Sequence, residues 1–334
     1  MNKVTIKDVA REAGVSIGTV SNALNGGRYI NHNTKKRVME AVEKLQYVPN
    51  LNGRYLKAGA TKMLGFFTSS AAGAYFGTLI DYLSRECWKL GYNLSVYVTR
   101  DTSVIMENLM GKRLDGALVF EDIVITETEI DRIQKEGLNV VFLDREVAGE
   151  GISSIVFDSF QAGYEATRYL INLGHKKIAF IEGRDNIRDS VCRHEGYRAA
   201  MQEYKLPVPE HYSIKGRFEE EFTYNSVKSY ISEHSSDIPE AFVAGNDLSA
   251  IGCIKALQSE GYRVPEDVSV IGFDDIDLSQ YFVPPLTTMR NPIARQAVEA
   301  IDLLVGMIKG EEEGVIKKLD GSIIVRESST MRVK

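Results

Sequence analysis

The sequence predicts a small all-α head of helix-turn-helix type followed by a large α/β body with parallel sheets in two lobes. Three observations predict it. The first 48 residues carry three short stretches of helical periodicity, with a glycine break between the first two. From Lys62 onward, short β-rich runs alternate with helical ones. The charge is divided: residues 1–60 hold ten Lys+Arg against four Asp+Glu, a net of +6, so with a whole-chain charge of −6 the remainder carries −12. A basic head on an acidic body suits contact with a polyanion confined to the head.

In the head, Thr5 and Asp8 have capping-box spacing, and Val9, Ala10 and Ala13 form one apolar face. Gly14 ends this stretch and Ser16 restarts it as an N-cap, with Val20 and Leu24 facing inward. After a polar loop, Val38, Ala41, Val42 and Leu45 recur at i, i+3, i+4 and i+7. Two helices about a tight glycine turn make the helix-turn-helix pattern. Residues 49–61 contain a proline, two glycines and no acid, and read as a linker. The domains expected are therefore 1–48, DNA-binding; 49–61, hinge; and 62–334, body.

In the body the runs MLGFFT, YNLSVYVT, GALVF, NVVFLD, SSIVFD, KKIAFIEG, EAFVAGN and VSVIGFDD read as strands, with helical segments between most of them. This alternation argues for parallel sheets with helices on both faces. Eight or nine units are many for one open sheet, so two lobes are expected, the first ending near Asp158 and the second beginning near Ser159.

Composition excludes several classes. No apolar run is long enough to span a bilayer, and MNKVTIKDVAREAG has no apolar h-region, so a cytoplasmic location is expected. Cys87, Cys192 and Cys253 are widely spaced and form no metal-ligand cluster. No phosphate-binding glycine loop or G-x-S-x-G elbow occurs, and the five scattered histidines assemble no triad. No catalytic residue, metal or cofactor is expected.

TIKDVAREAGVSIGTVSNALNG, with YVPN at 47–50, resembles the head of the LacI/GalR (lactose-repressor) family. The resemblance continues through LGHKKIAFIEG, RHEGYRAAM, AGNDLSAIGCIKAL and VPEDVSVIGFDDIDLSQYFVPPLTTM, so it covers essentially the whole chain. It implies a periplasmic-binding-protein-like body with an effector cleft between the lobes, and a homodimer on a pseudo-palindromic operator. It implies that Thr5, Ser16, Thr19, Ser21, Asn25, Tyr29, Asn31 and Thr34 touch the DNA backbone, and that Ile17, Gly18 and Asn22 read bases. Ser16, Asn31 and Thr5 also suit plain helix capping, and the two roles are compatible. The family often has arginine where this chain has Asn22; asparagine prefers adenine where arginine suits guanine. In the hinge the resemblance makes Leu56 an intercalating wedge in the minor groove, with Asn50 and Arg54 as groove or phosphate contacts. Gly53 stands where the family usually has alanine.

For the cleft, the resemblance and the strand-end positions point to Asp144, Arg193, Phe218, Asn246 and Asp274, with Ser69 and Tyr75 (and Ser70 and Phe76 beside them) on the first lobe. Guanidinium, carboxylate, amide and aromatic groups together suit a sugar's vicinal hydroxyls and apolar face. Each has a plainer role: Asp274 and Asn246 as caps, Phe218 as core, and Asp144 as a partner of Arg145 or of the backbone. The reading is thus a DNA-binding repressor controlled by a small carbohydrate. A protein corepressor or a purine as controlling ligand, and a solute-binding protein without regulatory role, are the alternatives.

Overall fold

The computed structural model describes residues 4–24, 30–48, 60–120, 123, 125–185, 187–312 and 314–332. The chain divides into two units, Met1–Thr61 and Lys62–Lys334.

In the first unit, α1 (Ile6–Ala13), α2 (Ile17–Leu24) and α3 (His32–Lys44) pack around Val9, Val20 and Val38, each fully buried. Small residues complete this core: Ala10, Ala13, Ala23 and Ala41. Their size lets three short helices approach closely. The capping box forms, with the Thr5 amide and hydroxyl both donating to Asp8 at 2.9 and 2.7 Å. Gly14 closes α1 at φ 62°, a left-handed conformation that glycine adopts without steric cost. The Ser16 hydroxyl caps α2 by accepting from the Thr19 amide at 3.1 Å.

The second unit holds two six-stranded sheets. The first has the order β11 (Ile316–Leu319), β5 (Ile152–Phe157), β4 (Val140–Leu143), β3 (Gly116–Phe120), β1 (Met63–Thr68), β2 (Asn93–Val98), all parallel. The second runs β12 (Ser322–Ile324), β10 (Thr287–Arg290), β9 (Ser269–Phe273), β8 (Ala241–Ala244), β6 (Ile178–Glu182), β7 (Ser213–Lys215), parallel except for β12. The central strands are buried along their whole length, as a parallel sheet covered on both faces requires.

Helices α4 (Ala74–Lys89), α5 (Thr102–Met110) and α6 (Glu127–Lys135) belong to the first lobe. Helices α7 (Ser159–Asn172), α8 (Arg188–Glu203), α9 (Glu220–Glu233), α10 (Asp247–Ser259) and the short α11 (Asp277–Tyr281) belong to the second. The last helix, α12 (Ile293–Lys309), packs its Ala297, Ile301 and Leu304 into the first lobe's core beside Leu83 and Leu118.

This placement corrects the expectation of two consecutive lobes. After Ser159 the chain does not stay in the second lobe: α12 and β11 return to the first, and β12 crosses back. Three crossings, near residues 158, 291 and 320, join the lobes. The strands β7, β10, β11 and β12 were missed; each has only three or four residues, and β11 and β12 show no apolar alternation.

Candidate functional site

Two regions gather the sequence-predicted residues. On the head, Ser16, Ile17, Gly18 and Asn22 are exposed, Ile17 to 45%, while Thr19 and Ser21 are half-buried on the same helix. Ser16 and Thr19 bond each other through their hydroxyls at 2.9 Å. A Cβ at Gly18 would meet only the Ser16 hydroxyl, at 3.7 Å, so the bare position is not required by packing. Asn31 caps α3 through the Asn33 amide at 2.9 Å, and Thr34 lies one turn on. Thr5 serves its capping box. Asn25, Tyr29, Asn50, Gly53, Arg54 and Leu56 lie outside the described residues.

The second region is at the carboxyl ends of strands from both sheets, where open α/β folds bind ligands. Asp144 follows β4, Gly183 follows β6, Gly245 and Asn246 follow β8, and Asp274 follows β9. Among the described residues, five of the nine non-glycine residues with positive φ stand here: Asp144 at 61°, Arg217 at 59°, Phe218 at 63°, Asp274 at 102° and Asp275 at 57°. Such backbone costs about 1–3 kcal/mol per residue and clusters where function holds it.

Arg193, on α8, is 4% exposed. Its Nη1 donates to the Gly245 carbonyl at 2.7 Å, its Nη2 to Asp189 at 3.2 Å, and Asp274 lies 3.6 Å from Nη1. The guanidinium sits over Phe273, 4.8 Å from the ring centroid. Nε is buried without a partner among the described residues. The sequence pointed to this arginine as an effector contact. The fold meets the guanidinium charge from within, mainly through Asp189, one helical turn earlier. That i, i+4 spacing is the signal that would have found it.

Phe218 does not enter a core cluster. Its ring covers Gly183 and Gly245 so closely that a Cβ at Gly183 would fall 2.1 Å from it. Asn246 caps α10 by accepting from the Ser249 amide at 2.9 Å, and its Nδ2 donates to the Phe218 carbonyl at 3.2 Å. Its plainer role is therefore real, and it also holds the aromatic residue in place.

Asp144 is fully buried rather than lining open space. It accepts from the Phe157 amide at 2.9 Å and from Gln296 Nε2 at 2.9 and 3.0 Å. The Tyr75 hydroxyl reaches Asp144 at 3.3 Å and Gln296 at 3.1 Å, and has one proton to give. Gln296, on the returning α12, had no sequence signal. Arg145 is not Asp144's partner; it donates to the Ile125 carbonyl at 2.7 Å. Tyr75 and Phe76 pack edge-to-face beside Phe120, and the Ser70 hydroxyl accepts from the Ala72 amide at 3.2 Å. Ser69 is half-buried at the end of β1.

Burial and the Asp189 charge push the Asp144 carboxyl up to about 7. Burial also raises Asp274, which Arg193 opposes. A carboxyl raised in the folded state contributes stability that is full below its unfolded value near 4 and is lost as pH rises towards 7. His175 and His194, both lowered by burial, act in the opposite sense. The difference between the wild type and Asp144→Asn removes that background. The expected result is a wild-type melting temperature that falls relative to Asp144→Asn from pH 5 to 7.5 and then levels; a gap independent of pH refutes it.

Across the mouth of the cleft, Arg188 of α8 reaches Glu146 of the first lobe at 2.6 Å, and Lys318 of β11 holds the same carboxylate at 2.9 Å. Among the described residues no group of three or more His, Cys, Asp or Glu forms a metal site, and no helix is long and apolar enough to cross a membrane.

Comparison with known proteins supplies the rest. Residues 5–50 match the model of the bacterial regulatory proteins of the lacI family, and residues 167–329 match a periplasmic binding protein-like domain. The chain is 36% identical over 318 residues to the HTH-type transcriptional repressor PurR of Haemophilus influenzae, covering 93% of each chain. It is 33% identical over 328 residues to the probable HTH-type transcriptional repressor ExuR of Bacillus subtilis, covering 97% and 98%. Its fold matches the Lac repressor dimer bound to operator and an anti-inducer with a TM-score of 0.87 at 24% identity, over 98% of this chain and 100% of that one. A complex of the transcriptional regulator CelR with cellobiose matches with a TM-score of 0.72 at 27% identity, with the same coverage.

Proposed function

The chain belongs to the LacI family of bacterial regulatory proteins and is a DNA-binding transcriptional repressor, and from that premise we propose that a small carbohydrate held between its lobes sets its affinity for an operator. The observation that carries the sugar reading is the Arg193–Asp274 pair, 3.6 Å apart beside an aromatic ring laid over bare glycines. Paired donors and acceptors suit vicinal hydroxyls, and the ring suits a sugar's apolar face. The cellobiose held by the CelR relative, and the ribose bound to a LacI-family regulator of Enterococcus faecium at 25% identity, support it.

The proposed mechanism is a population shift. The three crossings let the lobes rotate about one another. The Arg188–Glu146 bridge joins the two lobes and breaks if they move apart. A ligand with different affinity for the two arrangements biases them. In a homodimer on a pseudo-palindromic operator, the bias reaches the DNA through the hinge segments of both protomers. Operator and effector then alter each other's binding by the same factor. The phosphate contacts fall to Thr5, Ser16, Thr19, Ser21, Asn31 and Thr34, and the base contacts to Ile17, Gly18 and Asn22. The protein acts in the cytoplasm and performs no catalysis.

The test has two stages. Thermal-shift screening of the full chain against mono- and disaccharides identifies the ligand, because stabilisation grows with its concentration over Kd. Titration of a selected operator at fixed salt, with and without that ligand, then reads the coupling. A ligand that stabilises the chain yet leaves operator affinity unchanged sinks the mechanism. The hinge makes its own expectation. Glycine costs a helix about 0.5–1 kcal/mol against alanine, and each dimer holds two hinges. Gly53→Ala is expected to tighten operator binding roughly five- to thirtyfold; unchanged or weaker affinity refutes a helical hinge.

A further inference from the structure

We infer that Asp189 sets the chemical class of the effector: the cleft takes a polyhydroxylated ligand that is uncharged or bears an amino group, and turns away phosphorylated and carboxylate-bearing counterparts. This rests on the effector reading above and sharpens it.

The first support is an open valence. Asp189 is 8% exposed, and its Oδ1 has no hydrogen-bond partner among the described residues, while Oδ2 accepts from Arg193 Nη2. A buried carboxylate oxygen without a donor is costly, and proteins rarely leave one unmet without a use for it. A ligand hydroxyl or ammonium supplies the missing donor. Arg193 Nε, also buried and unmet, offers the complementary donor beside it.

The second support is the balance of charge. Asp144, Asp189 and Asp274 all act on one guanidinium, that of Arg193. The same three carboxylates act on the Tyr75 hydroxyl, whose proton is held well beyond its ordinary range by burial and by their charges. Arg193 keeps N–H groups to give, Nε among them, but its charge is already met by Asp189 at 3.2 Å and Asp274 at 3.6 Å. The arginines at the rim have acids of their own: Arg184 is with Glu219 at 2.8 Å and Arg188 with Glu146 at 2.6 Å. A phosphate or carboxylate entering here meets excess negative charge in a poorly screened space. An ammonium or hydroxyl meets acceptors.

The experiment compares matched sets on one scaffold, using the full chain. Glucose, ribose and cellobiose are each measured against glucosamine, glucose 6-phosphate, glucuronate, ribose 5-phosphate and cellobionate by calorimetry. The expected order within a scaffold is neutral or amino-bearing first, with anionic forms at least about tenfold weaker, the loss that one hydrogen bond to a charged group accounts for. Asp189→Asn keeps an acceptor for Arg193 Nη2 and puts an amide NH2, a donor, where the unmet oxygen stood: it weakens the neutral ligand about tenfold and narrows the gap to the anions. Without any ligand, Asp189→Asn removes a counter-ion of Arg193 and lowers the melting temperature, so the ligands are compared well below that midpoint. An anionic form that binds as well as its neutral parent overturns the inference and leaves the effector reading standing. An Asp189→Asn variant that leaves the gap between neutral and anionic forms unchanged also overturns it, because Asp189 then serves only as a counter-ion of Arg193. If no compound binds, the effector reading falls and takes this inference with it.

Discussion

Arg193→Met destabilises the body by about 3–5 kcal/mol and abolishes its response to the effector, while the head keeps its nonspecific affinity for DNA. Methionine keeps an unbranched apolar stem, is shorter, and carries no charge. Asp189 and Asp274 then remain in the interior without the guanidinium that compensates them, and removing one partner of a buried ionic group is far more damaging than removing the whole group. The Gly245 carbonyl loses its donor as well. Arg193→Met combined with Asp189→Asn and Asp274→Asn therefore recovers much of the stability but none of the response, because it removes the stranded charges without restoring the ligand's donor. Urea unfolding of the full chain measures the first effect, and operator titration with effector the second. A loss below 1 kcal/mol means that the carboxylates are not relying on Arg193 and refutes the charge cluster as described.

Asn22→Ala weakens binding to the selected operator by about tenfold or more for each half-site and leaves binding to nonspecific duplex within twofold. Asn22 is exposed on α2, next to Ile17 and Gly18, where no packing holds it. A bidentate asparagine–adenine pair is worth about 1–3 kcal/mol, and a dimer makes it twice. The phosphate contacts are untouched, so the salt dependence keeps its slope. Binding-site selection gives the second readout: an A·T pair is expected at the position facing Asn22, and an invariant guanine there sinks the assignment. Asn22→Arg is expected to move the preference towards guanine.

The head and the cleft were legible to different depths. The head's helices follow from local signals, namely the Thr5–Asp8 box, the Gly14 stop and the Ser16 cap, and each forms as those signals require. The individual strand runs were legible too, because strands buried on both faces must be continuously apolar. The assignment of segments to lobes was not. Nothing local in α12 distinguishes a helix that stays with the second sheet from one that crosses back; the choice depends on which core has room for Ala297, Ile301 and Leu304.

The cleft shows the same division. Phe218, Asn246 and Asp274 stand just past strands or at a helix start, as expected, whereas Arg193 lies in the second turn of α8 and not at its start, because that helix begins at Arg188; the family resemblance marked it from the sequence. What they do there depends on neighbours distant in the chain. Gln296 meets Asp144 across 152 positions and Phe157 meets it across 13. These contacts turned Asp144 from an open cleft residue into an enclosed one. By itself the sequence determined the regulator's two parts, the helix boundaries of its head and the residue types in its candidate site, because propensity, capping and apolar periodicity act over a few residues. Only the tertiary structure decided the lobe crossings and the unmet oxygen of Asp189, because burial and pairing are properties of the whole fold.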